Sequence, residues 1–134
     1  MDSIIVTVRT GFAPAVVDIS SEVGGFVQGR GDGLLSVFVP HATAGVALIE
    51  TGSGTESDLV DALDLLLPRD QRWRHRHGAE GHGADHVLPA FVAPSITIPV
   101  ISGRLALGTW QSVVMVDLNR DNPERSLRLT FLPG

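Results

Sequence analysis

The sequence predicts an α+β fold, with β-sandwich-like mixed or antiparallel sheets and one main amphipathic helix in a single domain over residues 1–134. Three observations lead there. Apolar residues alternate, or come in short blocks bounded by Gly and Pro, as half-buried and buried strands require. One stretch, 55–67, carries apolar residues at helical spacing instead. The connections between the strand-like blocks are short, and no internal repeat or linker interrupts them. A chain of 134 residues buries roughly two thirds of its unfolded surface, so a core forms without covalent staples.

In order along the chain, Ile4, Val6 and Val8 alternate with Ile5, Thr7 and Arg9, which reads as a first strand. Residues 16–19 make a second. Ser20, Ser21 and Glu22 offer cap chemistry for a short helix reaching Phe26 and Val27, weakened by Gly24 and Gly25. The Gly-rich segment 29–33 is a turn, 34–39 a buried strand stopped by Pro40, and 46–50 another strand. In the helix at 55–67, Thr55 and Asp58 fit a capping-box variant, and Leu59, Leu63, Leu66 and Leu67 form one apolar face. A long polar segment, 69–85, follows Pro68. Strands are then expected at 95–100, 105–107, 112–118 and 126–132, with turns at Ser102-Gly103 and at 119–123.

Composition narrows the chemistry. Cysteine is absent, which excludes disulfides and thiolate metal sites. All basic residues are arginine and there is no tyrosine, so no Schiff base and no phenolic acid or base is available. The net charge of −5 argues against nucleic acid or an anionic membrane as the main partner. The N-terminus does not read as a signal peptide and no apolar run has the length of a membrane span, so a cytoplasmic location is expected.

Four of the five histidines, His75, His77, His82 and His86, lie within twelve residues, with Glu80 and Asp85 among them. Imidazole and carboxylate suit zinc and related divalent metals. Spacing alone favours a solvated loop, because Gly78, Gly81 and Gly83 weaken the helical relation of His82 to His86. His41 follows Pro40 at a strand end and precedes Thr43 and Gly45. There it can present a ligand or stand as an ordinary turn residue. Arg104 can grip phosphate or carboxylate in a fork, and Trp110 can stack a ring or join the core. No nucleophilic serine motif is present.

His41-Ala42-Thr43-Ala44, Glu50, Asp58, His77-x-x-Glu80-Gly81, His86, Ser95-x-Thr97-x-Pro99-Val100 and the run from Gly103 to Gln111 together resemble the YjbQ family. Its members are often described as secondary thiamine-phosphate synthase enzymes, and the resemblance implies such an activity here. The resemblance covers nearly the whole chain and departs from the family pattern at Ala42, Ile49 and Thr51. It implies a small α+β domain forming a homotrimer. It also implies a metal site at His41, His77 and His86, most naturally for zinc; acidic groups at Glu80, Asp58 and Glu50; and substrate contacts from Thr43, Arg104, Thr109 and Gln111. His75 and His82 remain solvated on this reading. Glu80 acts either as a base toward water or as a group orienting a ligand histidine.

Two functions of different class follow. One is a metal-binding enzyme acting on a small phosphorylated molecule, a thiamine-phosphate synthase or a metal-assisted hydrolase. The other is a non-catalytic trimeric protein that holds a metal or a small anion.

Overall fold

The computed structural model describes residues 1–134. In chain order the elements are β1 (Asp2–Arg9), β2 (Ala15–Asp18), α1 (Ser20–Val27), β3 (Gly33–Phe38), β4 (Ala44–Ile49), α2 (Thr55–Leu66) and α3 (His82–Val87). A single 3-10 turn at Leu88–Ala90, then β5 (Ser95–Ile101), β6 (Arg104–Leu105), β7 (Ser112–Asp117) and β8 (Glu124–Pro133) complete the chain. The strands form two sheets, one of order β1-β8-β3-β5-β6 and one of order β2-β7-β4, with every pairing antiparallel. The fold is the expected α+β one. No helix is long and apolar enough to cross a membrane.

Alternation along each strand decides which side chains meet. Leu35 and Val37 of β3, Ile98 and Val100 of β5, and Leu127, Leu129 and Phe131 of β8 point inward from the five-stranded sheet. They pack against Val113 and Met115 of β7, Val46 of β4, and Val23, Phe26 and Val27 of α1. A second, smaller core lies on the opposite face of the three-stranded sheet. There Val114, Val116 and Leu118 meet Leu63 and Leu67 of the α2 region and Ala84 and Leu88 of the α3 region. The unbroken apolar run 113–116 is therefore buried on both sides within one chain. Its continuity needs no partner subunit.

Three local expectations are corrected. The helix at α2 is present and Leu63 and Leu67 are buried, but Leu66 is 52% exposed and lies outside its apolar face. Its start is not a capping box, because Gly54 takes the cap position at φ 95° and no side chain caps the helix. The Glu56 carboxylate instead accepts the Gly52 N–H at 2.7 Å, reaching back over the turn. Within the polar segment, the glycines do not prevent a helix: α3 begins at His82, straight after Gly81 at φ 77°. A Cβ on Gly83 would overlap the Trp73 side chain and stand 2.5 Å from the His75 carbonyl oxygen. Close approach of two chain segments, more than backbone freedom, is what that glycine supplies.

A candidate metal centre

Residues 68–81 form an irregular loop that α3 closes. Trp73 fixes its start by donating its indole N–H to the Pro68 carbonyl at 2.8 Å. Arg76 then donates Nε–H to the Trp73 carbonyl at 3.0 Å and Nη2–H to the Gln71 carbonyl at 3.2 Å. These bonds fold the loop back so that His75 and His77 overlie the first turn of α3. His82 and His86 lie four residues apart on that turn and share a face.

The result is a cluster of four imidazoles. One ring nitrogen from each of His75, His77, His82 and His86 lies within 4.8 Å of the others. The Nε2 atoms of His82 and His86 are 2.9 Å apart, and the His75 ring centroid is 4.0 Å from that of His86. His75 and His77 are exposed, His86 is half-buried and His82 is only 7% exposed. A tetrahedral zinc site holds its nitrogens about 3.3 Å apart, from bond lengths of 2.0–2.1 Å. The two exposed histidines are free to make the contraction that remains. With imidazole the only available strong ligand, the set fits a borderline divalent metal.

Burial and mutual repulsion prepare the ligands. The His86 imidazole is held below its usual pKa by desolvation first, then by His75, His82 and His77, with Asp85 opposing. His75 shifts the same way, through lost hydration and the proximity of His77 and His82. Protonation thus competes with metal binding at a lower pH than it would for free imidazole. The unfolded chain binds the protons more readily. Stability from these groups is therefore present above about pH 6.5 and is lost on acidification.

Behind the cluster stands a frame of carboxylates. Asp85 is fully buried and forms an ion pair with Arg69, whose second nitrogen lies 3.2 Å from Asp85 Oδ2. His82 Nδ1 is 3.6 Å from Asp85 Oδ2 and 3.2 Å from Asp121 Oδ2. Beside the cluster lies a cavity of about 550 Å³, with Gln71, His75, Arg76, Glu80 and His82 in its wall.

The residues expected at the site are not all here. His77 and His86 are in the cluster. His75 and His82, expected to be solvated, are there too, and His82 is the most buried of the four. His41 is not. Its Nε2 accepts the Ser126 backbone N–H at 2.8 Å, and its pKa is lowered by burial and then by Arg125, against Asp117. Glu80 reaches the cavity, whereas Glu50 and Asp58 are exposed and take no part in its wall. Thr43 is buried just before β4. Arg104 lines a separate, shallow hollow with Gln28. Gln111 closes its own turn by accepting the Gly108 N–H at 2.8 Å, and Thr109 is exposed beside it. Asp121 and Arg69 were missed. Asp121 is remote from the histidines in sequence and only the fold brings it behind His82, while Arg69, at the start of the same polar segment, joins the frame through Asp85.

The family model described as UPF0047 protein YjbQ-like matches residues 5–134. A UPF0047 protein of Mycobacterium tuberculosis strain H37Rv is 64% identical over 119 residues, covering 89% of this chain and 90% of that protein. The Bacillus subtilis UPF0047 protein YugU is 31% identical over 118 residues, covering 84% and 86% respectively. Among solved structures, a hypothetical protein from Aeropyrum pernix K1 superposes with a TM-score of 0.88 at 33% identity, over 100% of both chains.

Proposed function

This chain belongs to the UPF0047 YjbQ-like family, and we propose that it is a metal-dependent enzyme acting on a small phosphorylated molecule. The metal, zinc by preference, would be held by His75, His77, His82 and His86. The observation that carries this reading is the convergence of four ring nitrogens within 4.8 Å, two of them on residues, His75 and His82, that also line a cavity. Such an ion supplies Lewis-acid stabilisation of charge developing on a phosphoryl or leaving-group oxygen.

The cavity wall adds polarity suited to that substrate. Arg76 is bonded only to carbonyl oxygens, so its charge is not cancelled by a carboxylate. Asp70, by contrast, is engaged by Arg72. A guanidinium left in this state is ready for phosphate oxygens. Glu80 is the carboxylate of the wall available for proton transfer. The thiamine-phosphate synthase activity that the family resemblance implies is one member of this reaction class.

The homotrimer is part of the same proposal. The outer face of the five-stranded sheet carries Leu34 opposite Leu132, with Phe38 and Ile101 on the same side, all exposed in a single chain.

Arg76→Ala is expected to weaken binding of phosphorylated ligands roughly 10–100-fold, the cost of losing charged hydrogen bonds, while leaving zinc content unchanged. The check is calorimetry with inorganic phosphate and a panel of small phosphate esters and diphosphates on the zinc-loaded protein, with release of phosphate or pyrophosphate followed in parallel. Equal phosphate binding by the variant, with no turnover of any compound, would favour the non-catalytic metal-binding alternative.

A further inference from the structure

His82 is the buried anchor of the histidine cluster, and its two ring nitrogens face opposite surroundings. Nε2 points into the cluster, 2.9 Å from His86 Nε2. Nδ1 points away, toward Asp121 Oδ2 at 3.2 Å and Asp85 Oδ2 at 3.6 Å. It is a buried nitrogen at the distance of a polar contact, without the alignment of a full hydrogen bond. Both neighbours are carboxylates, which accept and do not donate. A lone pair at Nδ1 would face oxygen lone pairs in a shielded pocket, where such repulsion is strongest. The proton of the neutral ring therefore belongs on Nδ1.

The two carboxylates are not equivalent. Asp85 is already bound by Arg69 and stands farther away. Asp121 pairs with no arginine, and its other contact to the carboxylate is the Ala79 N–H, 3.3 Å from Oδ2. Its position is set from below by a ladder along the β7–β8 connection. The Asp117 carboxylate accepts the Asn119 N–H at 2.9 Å, and the Asn119 side-chain oxygen accepts the Asp121 N–H at 3.0 Å. Gly78 completes the fit, since a Cβ there would stand 2.8 Å from Asp121 Oδ2 and 3.0 Å from the His82 ring.

We infer that Asp121 is a positioning residue that fixes His82 as the Nδ1–H tautomer and so turns the Nε2 lone pair toward the cluster. Where the inference concerns zinc, it rests on the metal reading above; where it concerns the tautomer, it does not. Carboxylates behind ligand histidines act in this way, fixing the tautomer and ring orientation and raising ligand basicity.

The test separates the two. Long-range proton–nitrogen correlation spectra of isotope-labelled, metal-free protein report which ring nitrogen carries the proton. The wild type is expected to show His82 as Nδ1–H. Asp121→Ala is expected to shift it toward Nε2–H and to lower zinc affinity about 10–100-fold, measured with zinc ions alone. Asp121→Asn keeps a side-chain carbonyl oxygen that accepts from Nδ1–H, and is expected to restore most of both. Asp121 is 39% exposed at its side chain, so its removal leaves the core intact. An Nε2–H ring in the wild type, or an unchanged Nδ1–H ring in Asp121→Ala, would overturn the inference. A wild type that binds no zinc would end the metal reading and leave the tautomer to judge Asp121.

Discussion

Arg125→Ala should destabilise the fold by about 3–5 kcal/mol, because it strands a buried carboxylate without its counter-charge. Arg125 and Asp117 are 3% and 1% exposed, and the guanidinium reaches the carboxylate with Nε–Oδ2 at 2.5 Å and Nη2–Oδ1 at 3.4 Å. Natural domains have only about 5–15 kcal/mol in reserve, so the melting temperature should drop by roughly 10–20 °C. The double variant Arg125→Met with Asp117→Leu should recover most of the loss, since the penalty comes from the unpaired charge and not from the missing attraction. Urea unfolding of the single and double variants measures both effects. A loss below about 1 kcal/mol in the single variant would mean that water reaches Asp117. The pair also anchors the site: Asp117 starts the ladder that ends at Asp121, and Ser126, next to Arg125, holds His41.

His82→Ala should lower zinc affinity by at least about 100-fold, more than the loss of a group acting only from behind a ligand. His82 is the one ligand candidate held rigidly by burial, so its nitrogen is placed before an ion arrives. His86→Ala should behave similarly. His75→Ala and His77→Ala should cost less, because these exposed side chains must be ordered on binding. His41→Ala should leave zinc affinity unchanged, since its Nε2 is already engaged by the Ser126 N–H. Competition titration against a zinc-sensitive dye, at a pH where the imidazoles are neutral, orders the variants. Equal losses for His41→Ala and His82→Ala would contradict this order.

Much of the fold was legible because it depends on patterns of short range. Alternation predicts β1, apolar blocks predict β3 and β8, and the leucine spacing predicts α2 with Leu63 inside, although Leu34 and Phe38, in a strand read as buried, face outward. The site was legible only in part. His77 and His86 were recognisable by motif, and the clustering of histidines in one segment was visible in the sequence. What misled was treating Gly78, Gly81 and Gly83 as loop markers. Packing, not local preference, decides there: Gly81 leads into α3 and Gly83 lets that helix lie against the Trp73 and His75 chain. Once α3 forms, His82 is carried into the interior beside Asp85. His41 follows the opposite course. A motif cannot reveal that its ring will be used by the β8 backbone, because Ser126 lies 85 residues away.

The most direct test is anomalous diffraction at the zinc edge from crystals of tag-free protein grown with zinc ions. One strong peak enclosed by His75, His77, His82 and His86 is expected, with Asp121 behind His82. No peak at this cluster, or a peak seated on His41 instead, would contradict the metal reading.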